Sequence, residues 1–449
     1  MTENSDARPA LIRDLLEPAA YPHEVRRIQL VETHISWVIL TGEFAYKVKK
    51  PVALGFLDFS TLQDRLQYCE EELRVNRRTA ADLYLGVVPI GRGPDGARVG
   101  LEPAVEYAVQ MRQFPHAARL DRCLQAGSLE ATDMQALAAT IAEFHDGLPP
   151  REDIDAAFEV ERAVKPARNN FMHLDPAAFD DESQQRLAVI EAWTLQQADA
   201  LAPVFERRAR QGAVRECHGD LHLENLLLQE GHFVPFDALE FNPNLRWIDV
   251  ANDIAFLAMD LMARGQAGLA YTVLNGWLEA TGDYDSLSVM RFYLVYRAMV
   301  RAVVTAIRQR QSGTQPTTSA RLDAHRYIEL AAALVDTPPA SLYLMHGFSG
   351  SGKTWRSQRM VAELPALRVR SDLERKRLPG LRADQAVTGV IGAGLYGAEV
   401  SEQTYRTLYR HCETGLRAGF DMIADATFLR RRHREWFREL AQSLAVNVW

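Results

Sequence analysis

The run Gly347-Phe348-Ser349-Gly350-Ser351-Gly352-Lys353-Thr354 restricts what this chain can fold into more than any other stretch. It follows an apolar, strand-like segment, Leu342–Met345, and precedes a helical one, Thr354–Leu364. Glycines at 347, 350 and 352 let backbone N–H groups turn inward around a phosphate, and the helix that the loop opens adds positive potential. The pattern assigns Lys353 to the β- and γ-phosphates and the Thr354 hydroxyl to Mg²⁺, with Ser349 and Ser351 completing the cradle. The rest of the C-terminal region supplies the sheet that such a loop requires. Leu367–Arg370, Met422–Ala424 and Ala445–Val448 read as strands, and Glu402–Ala418 and Arg431–Leu444 as helices. Alternating β and α segments imply a parallel sheet with helices on both faces.

The preceding residues have a different texture. Ile28–Val31, Trp37–Thr41 and Phe44–Lys50 read as strands, with a turn at Gly42-Glu43; Tyr84–Ile90 and Tyr107–Phe114 read as two more. Ser60 and Gln63 form a candidate capping box for a helix over 61–79. After Pro115 helical spacing dominates, at Met134–His145, Ser183–Ala200, Ile248–Ala263, Ser288–Ile307 and 319–335, with a polar loop at Gln311–Thr318. The expected organisation is a β-rich lobe at 1–114, a helical lobe at 115–335, a linker at 336–341 and a P-loop domain at 342–449.

Between the helical segments stands His218-Gly219-Asp220-Leu221-His222-Leu223-Glu224-Asn225, followed by Phe236-Asp237. Phosphoryl transfer needs a hydroxyl aimed at the γ-phosphate and metal ions that neutralise charge, with little covalent help. Asp220 can accept or orient the hydroxyl, and Asn225 and Asp237 are hard oxygen ligands for Mg²⁺. No third ligand follows His218 and His222 at zinc spacing, so both histidines read as loop supports.

This stretch resembles the catalytic and metal-binding loops of the aminoglycoside phosphotransferase family, relatives of protein kinases. The resemblance implies a strand lysine that holds the α- and β-phosphates and pairs with a helix glutamate. Ala45-Tyr46-Lys47-Val48-Lys49 supplies the lysine and Glu70-Glu71-Glu72-Leu73 the acid, Glu72 being best placed. Lys47 and Lys49 share a strand face, so spacing leaves the choice open; Lys47 is preferred. Tyr107–Phe114 corresponds to the hinge strand, His145 to a histidine closing a helix, and Asp253-Ile254-Ala255 to a later Asp-x-Ala element, where Asp253 reads as a capping or anchoring carboxylate. The family's glycine-rich loop is missing between the first two strands, where Glu32-Thr33-His34-Ile35-Ser36 stands instead.

In the C-terminal region Asp372, just past a strand end, is a candidate general base or helix N-cap, and Arg375 a candidate grip on an anionic substrate. Asp425, at another strand end, is a candidate Mg²⁺ holder. These features resemble the small P-loop kinases related to polynucleotide kinase, gluconate kinase and zeta-type toxins. Members of that group continue through an arginine-bearing lid, so the resemblance implies a P-loop domain that is either cut short at Trp449 or unusual in its make-up. Arg430–Arg434 reads as a solvated helix start rather than a phosphate patch. The fold expected for the whole chain is α/β multidomain: a protein-kinase-like bilobal domain followed by a P-loop α/β domain.

Composition narrows the partners. The net charge is −8, which gives no support to general nucleic-acid binding. No apolar run is long enough to span a membrane, and four scattered cysteines fit a reducing cytoplasm. Only six residues are lysine, and four of them lie at 47, 49, 50 and 353, inside the two candidate phosphate sites. The expectation is an ATP- and Mg²⁺-dependent phosphotransferase acting on a small-molecule hydroxyl, with Glu240, Asp249 and Asp260 available to a cationic acceptor. The alternatives are an ATP-holding regulatory module with little turnover and a polynucleotide-type kinase at the P-loop.

Overall fold

A computed structural model describes residues 8–54, 57–152, 154–311, 318–381 and 397–449. The chain forms two compact units. One takes Met1–Ser128 and His218–Trp247; the other takes Leu129–Cys217 and Ile248–Trp449.

The first unit is built on a six-stranded sheet in the order Gln29–Glu32, Ser36–Leu40, Phe44–Lys49, Ala104–Arg112, Tyr84–Gly93, Gly96–Val99. Its strands pair antiparallel throughout. Alternation splits each strand between two cores. Tyr46 and Val48 pack with Trp37, Ile39, Ile90 and Ala108 on one face. Ala45, Tyr84, Val109 and Met111 pack with Cys69 and Leu83 on the other. Lys47 and Lys49 fall on the second face, towards the helix Leu62–Ala80 that carries Glu72. That helix is capped by Thr61, whose hydroxyl accepts from Asp64 N at 3.1 Å. The cap thus falls at Thr61, one residue after the expected Ser60. The first hairpin is closed by Thr33, whose hydroxyl accepts from Ser36 N at 3.0 Å, where the family resemblance would put glycines.

In the second unit, the helices Ala131–Gly147, Asp181–Ala200, Val250–Ala263, Leu287–Gln311 and Thr318–Val335 stand where helical spacing put them. Others escaped the sequence reading, among them Ala202–Arg210, Ala156–His173 and Ala267–Thr281. Ala156–His173 contains Pro166, a residue that argues against a helix interior. Ala267–Thr281 is rich in small residues, which lets it approach its neighbours closely. A Cβ on Gly276 would stand 2.8 Å from the Ala138 side chain, and one on Gly268 would stand 3.0 Å from Ala362 O.

The same unit holds a parallel sheet in the order Leu367–Arg370, Met422–Asp425, Ser341–Met345, Asn447–Val448. Leu367–Arg370 is an edge strand, and an edge exposes unpaired backbone groups. Here Arg368 N donates to Asn275 Oδ1 at 2.7 Å and Arg368 O accepts from the Tyr284 hydroxyl at 2.9 Å. Side chains of the helical region thus occupy the place of a further strand. Residues 1–7 of the polar N-terminus and 312–317 of the expected polar loop lie outside the described residues. No described helix is long and apolar enough to cross a membrane.

Candidate active sites

The first constellation centres on two lysines and three carboxylates. Lys47 Nζ lies 2.8 Å from Glu72 Oε1 and 2.6 Å from Asp237 Oδ1. Lys49 Nζ lies 2.7 Å from Glu72 Oε2 and pairs also with Glu240. Glu72 is therefore bridged by both lysines, one at each oxygen. The two differ in what else they reach: Lys47 touches Asp237, whereas Lys49 is fully buried behind it with Glu240. Burial opposes the charge on Lys47, but Asp237 and Glu72 outweigh it and raise its pKa well above the ordinary value. Glu72 shows the reverse: burial pushes it up, and the two lysines bring it down to about 2. Burial and the repulsion of Glu72 leave Glu240 above its ordinary value despite Lys49.

Asp237 has φ +59°, a left-handed conformation that costs a non-glycine residue about 1–3 kcal/mol and survives only where its surroundings over-determine it. Three bonds do so. Asp237 N donates to the Tyr84 hydroxyl at 3.0 Å, Ala238 N donates to Asn76 Oδ1 at 2.7 Å, and His218 Nε2 donates to Phe236 O at 2.9 Å. The His218 ring is fixed from its other side, because Nδ1 accepts from Asp220 N at 3.3 Å. His222 follows the same logic: Nδ1 accepts from Glu224 N at 3.2 Å, and Nε2 faces Asp220 Oδ2 at 3.3 Å. Both rings have the Nε2–H tautomer and support the loop, as expected. Asn225 Nδ2 donates to Asp220 Oδ2 at 2.9 Å and Asp220 O at 3.0 Å. That orientation leaves the amide oxygen of Asn225 as the acceptor that a hard cation requires.

The acids expected to meet a cationic acceptor are committed elsewhere. Glu240 holds Lys49; Asp249 takes a two-point bond from Arg208 at 2.6 and 2.9 Å; buried Asp260 meets Arg264 at 3.3 Å. Asp253 does not cap its helix. Asp249 does, accepting from Ala251 N at 2.9 Å, while Asp253 Oδ2 lies 3.2 Å from His145 Nε2. His145, Cys217 and Asp253 bring three ligand-type atoms within 4.8 Å of one another. The geometry is nonetheless unsuited to a metal. Trp277 Nε1 donates to His145 Nδ1 at 3.1 Å, so the proton sits on Nε2, the atom that would have to ligate.

The second constellation is made of contiguous backbone. Gly347, Gly350 and Gly352 have φ of +146°, +79° and +83°, the conformations that let the loop close on itself. Ser349, Ser351 and Thr354 are exposed. Lys353 Nζ donates to Phe348 O at 2.6 Å across the loop mouth. Asp425 is buried at its strand end, and Oδ2 accepts from the Ser357 hydroxyl at 2.7 Å. Asp372 is exposed and does not cap its helix; Arg370 holds it at 3.1 and 2.6 Å. Arg375 lies half-buried on the same helix, Ser371–Arg377. The Arg430–Arg434 cluster is largely consumed locally: Arg431 pairs with Glu435, Arg432 with Glu402, and Arg434 donates to Phe428 O.

Fold and sites together define a mixed α/β protein with one unit built on an antiparallel sheet and a second, largely helical unit that carries a parallel sheet and a P-loop. Residues 342–448 match a family model described as an AAA domain. The uncharacterized proteins Rv2004c and MT2060 of Mycobacterium tuberculosis and Mb2027c of Mycobacterium bovis are each 32% identical to the chain over 415 residues. The match covers 92% of this chain and 81% of each relative, and the chain belongs to their family. Among solved structures, a choline/ethanolamine kinase family protein from Mesorhizobium loti is similar at a TM-score of 0.41 and 11% identity, covering 75% of this chain and 93% of that one. Plasmodium vivax ethanolamine kinase Pv091845 is similar at 0.40 and 10%, covering 68% and 81%.

Proposed function

We propose that the chain is an ATP- and Mg²⁺-dependent phosphotransferase whose first site phosphorylates a hydroxyl of a small molecule, and whose P-loop domain binds a second ATP and has an acceptor of its own. The observation that carries this reading is the convergence of Lys47, Glu72 and Asp237, three residues far apart in sequence, at ion-pair distance. In the proposed mechanism Glu72 holds Lys47 extended, so that its ammonium meets the α- and β-phosphates. Asp220, anchored through Asn225 and His222, orients the acceptor hydroxyl and takes up its proton. Asn225 and Asp237 would hold Mg²⁺, which when bound neutralises phosphate charge. At the P-loop, the backbone and Lys353 would hold phosphates, Thr354 and Asp425 the metal, with Asp372 as base and Arg375 gripping the acceptor.

The test is transfer from γ-labelled ATP into a metabolite extract by wild type, Asp220→Ala and Lys353→Ala. The proposal expects labelling of a small molecule that falls by about a hundred- to ten-thousandfold in Asp220→Ala and persists in Lys353→Ala. Labelling lost only in Lys353→Ala would move the chemistry to the P-loop. Tight nucleotide retention with no labelling would favour a regulatory module, and labelling of a 5′-hydroxyl oligonucleotide would favour a polynucleotide-type kinase.

A further inference from the structure

The P-loop site is braced by a residue outside the P-loop domain. Glu279, near the C-terminal end of the helix Ala267–Thr281, is largely buried and grips two arginines. Its Oε1 accepts from Arg368 at 2.8 Å, and its Oε2 lies 3.6 Å from Arg370 Nη1. Asn275, one turn earlier, donates to Glu279 Oε1 at 2.8 Å and fixes the carboxylate from its own helix.

Each arginine then leads to a different end of the site. Arg368 Nη1 donates to Thr354 O at 3.2 Å and to the Ser357 hydroxyl at 3.1 Å, and that hydroxyl donates to Asp425. This arm positions both groups assigned to the metal. Arg370 holds Asp372 by two bonds, so the other arm positions the group assigned to the acceptor hydroxyl. Arg368 is 3% exposed, Ser357 0% and Asp425 5%. In so dry a setting the ion pairs are weakly screened, and losing the carboxylate would leave a buried guanidinium without its counter-charge.

We infer that Glu279 is a positioning residue for the P-loop nucleotide site, so that the site's affinity for Mg²⁺–nucleotide depends on a helix that lies outside the P-loop domain. The inference rests on the proposed reading of Lys353, Thr354 and Asp425. Residues that orient metal ligands from behind typically change metal affinity by about ten- to a hundredfold when removed. A residue that merely packs the two regions together would lower thermal stability without selecting the metal-dependent part of binding.

The experiment uses the full chain and a non-hydrolysable ATP analogue. P-loop binding is the component that disappears in Lys353→Ala, measured with Mg²⁺ titrated from zero. In Glu279→Gln, the Mg²⁺ concentration giving half-maximal binding of that component should rise about tenfold, while the metal-free part stays unchanged and Glu279→Asp recovers part of the loss. Ser357→Ala cuts the same arm at its far end without altering charge. It should shift the Mg²⁺ requirement in the same direction if Glu279→Gln does not fold. An unchanged Mg²⁺ requirement in whichever of these variants folds overturns the inference and leaves the P-loop reading standing. No Lys353-dependent component in wild type overturns that reading, and the inference with it.

Discussion

The two candidate phosphate sites hold their lysines in opposite ways. Lys47 stands on a strand among carboxylates brought from a helix and a loop, with Lys49 fully buried beside it. Lys353 stands on an exposed loop whose shape comes from glycine backbone, and its braces come from behind, through Arg368, Arg370 and Glu279. The first site is therefore a small folded core in its own right, in which removing any charge disturbs the packing of its unit. The second is a local motif that tolerates exposure, because backbone N–H groups need no partner side chain to point at a phosphate. The contrast implies that stability and nucleotide affinity should be tightly coupled at the first site and separable at the second.

The sharpest way to break that comparison is to remove charge from the buried cluster. Glu72→Gln leaves two buried lysines sharing one fewer carboxylate and should cost about 3–5 kcal/mol in denaturant unfolding. Glu240→Gln should cost much less, because Lys49 keeps Glu72 and burial already opposes the charge on Glu240, whose pKa is raised. Equal losses would mean that the two carboxylates are not distinguished as the geometry implies.

Acid should expose the same asymmetry. Glu72 has a folded value below its ordinary 4.5, so its stabilisation is complete above 4.5 and is lost as pH falls towards about 2. Glu240 is raised and has the opposite sign: its stabilising contribution is present below 4.5 and is lost as pH rises above that value. Unfolding followed from neutral pH downward should show acid sensitivity that Glu72→Gln reduces and Glu240→Gln does not. A Glu72→Gln profile as acid-sensitive as wild type would place the origin elsewhere.

The smallest effect concerns the braced edge strand. Tyr284→Phe removes one hydroxyl bond to Arg368 O and should cost about 1–2 kcal/mol. Lys353-dependent nucleotide binding should survive it, since the glycine loop is built without Tyr284. Loss of binding in a folded Tyr284→Phe protein would show that the glycine loop leans on the edge-strand brace as well as on Glu279.

Contiguous motifs were legible without a structure because their geometry is local. Glycine φ freedom and the strand–loop–helix context placed the loop at 347–354, and the spacing of Asp220, Asn225 and Asp237 placed the loop and hairpin that carry them. Period-two alternation put Lys47 and Lys49 on one face but could not say which reaches Asp237. That depends on where the chain brings residue 237, nearly two hundred positions later, and on the strained turn that Tyr84, Asn76 and His218 hold in place. Acidic residues at 240, 249 and 260 looked available because sequence does not display ion-pair partners; Lys49, Arg208 and Arg264 occupy them. The helix Ala267–Thr281 was missed for a related reason: its small residues weaken the periodic signal and are what allow it to pack closely on two neighbours. The sequence by itself determined which residue types stand ready for phosphate and metal, since spacing and backbone freedom are properties of a short segment. Only the tertiary structure decided which charges meet, because the partner of a buried charge is set by packing between distant segments.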